Sequence, residues 1–159
     1  MKKLLLIRHA KAVHDTSYND FERPLKHSGS QDAIMMAERL NSESIVPQLL
    51  VTSPSLRTLA TADIFAEHLE LGKPAEDVRI YDAGQQTLLN IINGFPNNHS
   101  FVGLIGHNPG ISQLLDYFTD ESRNLSPGAV ALITFEVNEW KLISFNSGKL
   151  AWFSSPKEH

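Results

Sequence analysis

Three short runs of consecutive apolar residues lie along the chain, and each is followed closely by polar residues. The runs are Leu4–Ile7, Leu49–Val51 and Phe101–Ile105. A short unbroken apolar run is typical of a strand buried on both faces, as in a parallel sheet. The sequence Val78–Tyr81 predicts a further short strand.

Helical patterns fill the stretches between these runs. Apolar residues recur at helical spacing from Ala33 to Leu40, with Ser28 or Ser30 as the candidate N-cap. A polar residue followed by proline favours a helix start, and such pairs predict two more helices. These run from Ser53-Pro54 to about Leu69 and from Asn108-Pro109 to about Phe118, and a further helix is predicted over residues 85–93.

The C-terminal quarter reads as two strands, Ala129–Val137 and Trp140–Phe145, which Asn138-Glu139 would join as a hairpin. Trp152 and Phe153, in the tail from Lys149, are expected to pack back onto the fold. Strands that alternate with helices and end in a hairpin predict a three-layer α/β/α sandwich with a mainly parallel central sheet. A single domain over residues 1–159 is expected.

Composition narrows the class of protein. No apolar stretch approaches the ~20 residues that span a bilayer, and the apolar run before Arg8 is too short for a signal peptide. A net charge of −4 argues against a general nucleic-acid binder. The absence of cysteine excludes disulfides and thiolate catalysis. We therefore expect a cytoplasmic protein that binds neither nucleic acid nor membrane.

Cationic residues and histidines follow the predicted strands at the points where those strands end. Arg8-His9 follows the first strand, Ser53-Pro-Ser-Leu-Arg57 the second, and Gly106-His107-Asn-Pro-Gly110 the strand at 101–105. Open α/β sheets bind ligands at the carboxyl ends of their strands. Two arginines and two histidines are therefore predicted to converge on one small anion.

These three motifs, in this order, resemble the signature of the histidine phosphatase superfamily, whose fold is phosphoglycerate mutase-like. Ala10, Arg23-Pro24-Leu25 and the short chain are similar to its bacterial phosphohistidine phosphatase branch, the SixA type. The resemblance spans nearly the whole chain. Two departures are visible: Ala60 replaces the Gln or Glu of many relatives, and no Glu stands at an obvious proton-donor position.

The resemblance assigns catalytic roles to Arg8, His9, Arg57 and His107. It implies that His9 is the nucleophile and forms a covalent phosphohistidine, and that His107 donates a hydrogen bond to the transferred group. Arg8 and Arg57 would bind the phosphate, since the planar guanidinium fork suits its oxygens and stays charged. The chain has no P-loop or dense aspartate cluster, so we expect neither a cofactor nor a metal.

Several other residues are weaker candidates. Lys11 and Arg23 are placed to line the substrate entrance, and Asp82 is either a proton donor or a turn residue. Asn108 is interpreted as a helix cap. The remaining histidines have no motif context and are expected to be exposed; they are His14, His27, His68, His99 and His159.

Three functions fit the pattern. The first is a metal-independent phosphatase for phosphohistidine proteins, and the second is a phosphatase or mutase for small phosphate esters. The third is a non-catalytic module that binds phosphate or a phosphoprotein, although pure binding would not require His9. The partner is accordingly a phosphorylated protein or a small phosphorylated substrate, and a monomeric state is left open.

Overall fold

The fold is built on a six-stranded sheet, seen here in a computed structural model that describes residues 1–157. His159, predicted to be exposed, lies outside the described residues. The strands are β1 (Lys2–Arg8), β2 (Leu49–Thr52), β3 (Ala75–Glu76), β4 (Phe101–Gly106), β5 (Val130–Phe135) and β6 (Gly148–Ser154). They lie in the order β3-β2-β4-β1-β5-β6.

Helices connect the strands on both sides of the sheet. The α-helices are α1 (His27–Ser42), α2 (Leu56–His68), α3 (Gln85–Asn93) and α4 (Gly110–Thr119). Short 3-10 turns occupy Asp20–Glu22, Val78–Ile80 and Trp140–Leu142. Along residues 1–157, no helix combines the length and apolar character needed to cross a bilayer.

The parallel pairing places the carboxyl ends of three strands side by side. Strand β4 pairs in parallel with β1 and with β2, and β3 extends the parallel part beyond β2. Arg8 lies opposite Gly106, and Thr52 lies opposite Ile105. The residues that follow β1, β2 and β4 therefore emerge together at one edge of the sheet.

The central strand β1 is buried on both faces, which accounts for its unbroken apolar sequence. Leu4 and Leu6 belong to a core formed with α3 and α4. Leu5 and Ile7 belong to a second core formed with α1 and α2. The predicted three-layer sandwich with a mainly parallel sheet is confirmed; β5 and β6 are its antiparallel members.

The predicted strand at Val78–Tyr81 is wrong. The two residues that pair with β2 are Ala75 and Glu76. The chain then turns because the Asp77 side chain accepts a hydrogen bond from the Arg79 backbone N–H at 3.0 Å. A local side-chain bond to the backbone has replaced the sheet ladder here.

The predicted hairpin partner, Trp140–Phe145, is also wrong. Trp140 begins a 3-10 turn, is fully buried, and donates from Nε1 to the His99 carbonyl at 2.8 Å. Strand β6, which includes the half-buried Trp152 and Phe153, pairs with β5 instead. The tail from Lys149 thus supplies the edge strand, because Trp140 is held by contacts distant in sequence.

The predicted helix starts need small corrections. Helix α1 begins at His27, so Ser28 and Ser30 lie within it and Lys26 is the N-cap. Helix α2 begins at Leu56, two residues beyond Pro54, with Ser55 as N-cap. Its Oγ lies 2.6 Å from the Thr58 Oγ1. Ser53 lies just beyond β2, at the carboxyl edge of the sheet, and its Oγ accepts from the Ser55 backbone N–H at 3.3 Å.

Candidate active site

His9 lies directly beyond β1 in a position held by backbone and side-chain contacts. Its backbone N–H donates to the Gly106 carbonyl at 3.2 Å, and the next N–H, of Ala10, donates to Thr61 Oγ1 at 3.1 Å. The ring Nδ1 lies 2.8 Å from the Ala10 carbonyl oxygen. A carbonyl can only accept, so Nδ1 carries the proton and Nε2 keeps its lone pair.

Burial keeps His9 neutral. Desolvation lowers the pKa of His9 to about 4, against a partial rise from its bond to Ala10, and the nearby Arg57 and Arg8 lower it further. At neutral pH the imidazole is therefore uncharged. An uncharged ring with a fixed tautomer is the form in which a histidine acts as a nucleophile.

Arg8 places its guanidinium beside His9 and is anchored by the loop before β5. Its Nη1 donates to the Leu125 carbonyl at 3.0 Å, while its buried Nε has no hydrogen-bond partner in the described chain. Burial, and then the charge of Arg57, lower the pKa of Arg8. Arg8 therefore retains unfilled hydrogen-bonding capacity next to the His9 ring.

Arg57 reaches the same place from the first turn of α2, and it is 6% exposed. Its Nη1 donates to the Asp20 backbone carbonyl at 2.6 Å, and its Nη2 donates to Asp20 Oδ2 at 3.1 Å. The buried Nε has no partner among residues 1–157. The loop that carries Asp20 therefore folds over Arg57 and holds its planar fork in place.

His107 follows β4, and its ring centroid lies 5.5 Å from that of His9. Arg57 Nη2 approaches its Nδ1 at 3.3 Å, and its Nε2 lies 3.0 Å from Ser53 Oγ. An arginine can only donate, so Nδ1 is the acceptor and Nε2–H donates to Ser53. Desolvation, then the charges of Arg57 and His9, lower the pKa of His107 to about 3.

A cavity of about 210 Å³ opens between these four side chains. We call it the cationic cavity, since basic groups dominate its walls. It is lined by Arg8, His9, Lys11, Ala12, His14, Arg23, Lys26, Arg57, His107, Asn108 and Pro127. Its size and charge suit a phosphoryl group, which needs its three oxygens neutralised during transfer.

A second cavity of about 340 Å³ adjoins the first. We call it the acidic cavity; it is lined by Asp20, Arg57, Tyr81, Asp82, His107 and Asn108. Gly110 allows these walls to approach, because a Cβ at that position would collide with the Ala83 carbonyl oxygen. The segment with Tyr81 and Asp82 can therefore lie against the start of α4.

The predicted convergence of Arg8, His9, Arg57 and His107 is present in the structure. Lys11 and Arg23 also line the cationic cavity, as expected, whereas Asp82 lines the acidic one. Asn108 precedes the N-cap Pro109 by one residue, so the cap assignment is wrong. Its side chain accepts from Ser112 Oγ at 2.7 Å and donates to the Leu125 carbonyl at 2.9 Å.

Sequence reasoning missed four residues of the site. His14 lines the cationic cavity, Asp20 and Tyr81 line the acidic cavity, and Ser53 bonds His107. Asp20 lies in a polar stretch without a motif, and the sequence pattern predicts a strand for Tyr81. Ser53 belongs to the second motif, where the following proline favours a helix cap. No three His, Asp or Glu side chains within residues 1–157 are grouped as metal ligands.

Comparison with known proteins identifies the family. The model of the histidine phosphatase superfamily, branch 1, matches residues 4–82, which include Arg8, His9 and Arg57. The chain belongs to the histidine phosphatase superfamily. An uncharacterized chloroplastic protein of Arabidopsis thaliana is 28% identical over 163 residues, with 95% of this chain and 74% of that protein covered.

Solved structures share the phosphoglycerate mutase-like fold of this superfamily member. A candidate phosphohistidine phosphatase SixA of Agrobacterium tumefaciens has a TM-score of 0.84 at 21% identity, covering 98% of both chains. The protein histidine phosphatase SixA complexed with tungstate has a TM-score of 0.79 at 22% identity, covering 97% of both chains. A mycobacterial glucosyl-3-phosphoglycerate phosphatase has a TM-score of 0.69 at 14% identity, covering 94% of this chain and 97% of its own.

Proposed function

We propose that this protein is a metal-independent phosphatase that acts through a covalent phosphohistidine at His9. The observation that carries the proposal is the fixed tautomer of His9, whose Nδ1–H is held by the Ala10 carbonyl at 2.8 Å. Nε2 is then unprotonated, and the ring lines the same cavity as Arg8, Arg57 and His107. The family assignment supports the same chemistry.

The first step is transfer of the phosphoryl group to His9. Arg8 and Arg57 bind its oxygens, and both have a buried Nε without a partner in the described chain. Nε2 of His9 attacks phosphorus, a P–N bond to the enzyme forms, and the bond to the leaving group breaks. Charge spread over the equatorial oxygens is stabilised by the two guanidinium groups, which takes the place of a metal ion.

The second step is hydrolysis of the phosphoenzyme. Water attacks phosphorus from the side that the leaving group has vacated, inorganic phosphate is released, and His9 recovers its lone pair. His107 carries its proton on Nε2 in the ligand-free protein, with Ser53 as the acceptor at 3.0 Å. In the ligand-free protein its Nδ1 accepts from Arg57 at 3.3 Å. To donate to the phosphate through Nδ1, His107 takes up a second proton from solvent, and the negative charge of the bound dianion favours that imidazolium.

The physiological substrate proposed is a protein that carries phosphohistidine. The likeness to SixA structures over 98% of the chain supports this choice, together with the absence of a Glu at an obvious donor position. A P–N bond is more labile than an ester and needs a weaker acid to break. Lys11 is partly exposed at the mouth of the cationic cavity and Lys26 more fully, where a docked protein can reach them.

A second candidate is a phosphatase for small phosphate esters. Lys11, Arg23 and Lys26 line the cationic cavity in addition to the two central arginines. That excess of cations favours a substrate with a second anionic group.

A cytoplasmic location, a monomeric state, a single domain and the lack of nucleic-acid or membrane binding stay predictions.

The proposal is tested by trapping the intermediate. Rapid acid-free quenching with ³²P-labelled substrate should give alkali-stable, acid-labile label on the wild-type protein and none on His9→Ala. His27→Ala is the matched control, because His27 is exposed at the start of α1 and lines neither cavity. Label that persists in His9→Ala would place the nucleophile at another residue and overturn the proposal.

A further inference from the structure

The two cavities meet at Arg57, His107 and Asn108 but differ in charge. The nucleophile His9 lines the cationic cavity and is absent from the walls of the acidic one. Asp20, Tyr81 and Asp82 form the remaining wall of the acidic cavity. A phosphoryl group held by Arg57 and His107 therefore has the nucleophile on one side and carboxylates on the other.

The stereochemistry of phosphoryl transfer decides which cavity receives the leaving group. The attacking and leaving atoms lie roughly in line through phosphorus. His9 attacks from the cationic cavity, so the leaving group departs into the acidic cavity. The residues of that wall, Asp20 foremost, are then the first that the leaving group meets.

Asp20 is held at this wall by three donors. Its Oδ2 accepts from Arg57 Nη2 at 3.1 Å and from the Tyr81 hydroxyl at 2.6 Å, and its Oδ1 accepts from Arg23 Nε at 3.2 Å. A carboxylate offers about four acceptor positions, so one on Oδ1 is unfilled. More than half of the side chain is exposed, which leaves that position open to a ligand.

The carboxylate is ionised throughout the working range of pH. The Tyr81 hydroxyl is the largest cause that lowers the pKa of Asp20 to about 2; burial opposes this shift, and Arg57 and Arg23 lower the pKa further. The bond to Asp20 also raises the pKa of Tyr81. Neither residue is therefore suited to give a proton to a leaving group, and Asp20 acts as an acceptor.

We propose that Asp20 forms the leaving-group subsite and selects a protonated imidazole, by accepting a hydrogen bond from the ring N–H distal to the phosphorylated nitrogen. This inference rests on the proposed function and deepens it. An anionic leaving group, such as the carboxylate-bearing portion of a phosphorylated acid, is disfavoured by repulsion at the same place. Neutral alcohols gain less from this carboxylate, because they bring no positive charge.

The chemistry balances without a general acid. The substrate ring is an imidazolium, phosphorylated on one nitrogen and protonated on the other. When His9 attacks, the P–N bond of the substrate breaks and its electron pair stays on the departing nitrogen. The product is neutral imidazole that keeps its distal N–H, so no proton has to be delivered. Asp20 assists by favouring the protonated form of the substrate ring before the bond breaks.

The test compares two probes of opposite leaving-group character, phosphoimidazole and p-nitrophenyl phosphate. For each variant, kcat/KM is measured with both probes. The readout is the value for phosphoimidazole divided by the value for p-nitrophenyl phosphate. Asp20→Asn keeps the shape and removes the charge; we expect the ratio to fall by about tenfold or more, the usual worth of a hydrogen bond to a charged group. Asp15→Asn is the matched control, because it removes a carboxylate from the same loop outside both cavities.

The outcomes separate this inference from the proposed function. If Asp20→Asn lowers kcat/KM equally for both probes, Asp20 merely positions Arg57 and the subsite is refuted. If the wild-type protein cleaves p-nitrophenyl phosphate but not phosphoimidazole, the subsite is again refuted while the phosphatase stands. Activity that survives His9→Ala with both probes would overturn the proposed function itself. An unchanged ratio in Asp15→Asn, with a reduced one in Asp20→Asn, supports the inference.

Discussion

Replacement of Arg57 tests the electrostatic basis of the site most directly. Arg57→Ala removes a buried guanidinium whose two terminal nitrogens meet Asp20 and His107. Loss of one preorganised donor to a developing anion costs about 3–4 kcal/mol. The change also removes the buried cation paired with Asp20, whose remaining partners are Arg23 and Tyr81. We set the resulting repulsion between this carboxylate and the phosphate at roughly 1 kcal/mol after solvent screening, since Asp20 is largely exposed.

The two effects together predict a loss of about 10³ in kcat/KM, at roughly 1.4 kcal/mol for each factor of ten. Arg57→Lys should recover part of this loss, because it restores charge but not the bidentate fork. Arg57→Ala combined with Asp20→Asn should be several-fold more active toward p-nitrophenyl phosphate than Arg57→Ala alone, because the repulsive carboxylate is gone.

Steady-state kinetics provide the activity readout, and NMR titration provides a second one. Arg57 is the second-largest cause that lowers the pKa of His107 to about 3. In Arg57→Ala that pKa should rise, which a purely structural defect elsewhere in the fold would not produce. A variant within about threefold of wild-type kcat/KM, with the His107 pKa unmoved, would refute the reasoning.

Three further predictions follow from the same contacts. The pKa values of His9 and His107 lie below the unfolded value of 6.5, so below that pH the unfolded chain binds protons that the folded protein does not. The contribution of each histidine to the free energy of unfolding is therefore full above pH 6.5 and is lost as pH falls toward 4. Chemical denaturation should show that the free energy of unfolding is lower at pH 5 than at pH 7 by about 2 kcal/mol for each histidine. If His107→Gln loses as much stability between these pH values as the wild-type protein, the prediction is wrong. Ser53→Ala should lower kcat/KM about tenfold, since it leaves the buried His107 Nε2–H without its acceptor; unchanged kinetics would remove Ser53 from the site. Phosphatase activity should survive EDTA, because fixed arginines supply the positive charge, and loss that a divalent ion restores would contradict that mechanism.

The local pattern of apolar residues predicted the secondary structure correctly wherever all of a segment's residues have similar surroundings in the fold. The run Leu4–Ile7 predicted a strand buried on both faces, and the structure divides its side chains between two cores. Helix α3 was predicted with its observed bounds, Gln85–Asn93. In contrast, Val78–Tyr81 and Trp140–Phe145 carry strand-like composition but form turns. The side chains of Asp77 and Asn97 accept hydrogen bonds from the backbone N–H groups of Arg79 and Trp140, which a sheet would otherwise use.

What the sequence determined by itself is the type and order of the chemical groups: arginine and histidine after the first strand, arginine after the second, histidine after the fourth. Parallel strands end at one edge, so their convergence could be inferred from chain order alone. The tertiary structure decided what surrounds them. Asp20 and Tyr81 are 61 residues apart, one at the start of one short 3-10 turn and the other at the end of another, so no periodicity relates them. Their meeting over Arg57 depends on how the loop after β1 folds across the sheet edge, which long-range packing and charge pairing determine.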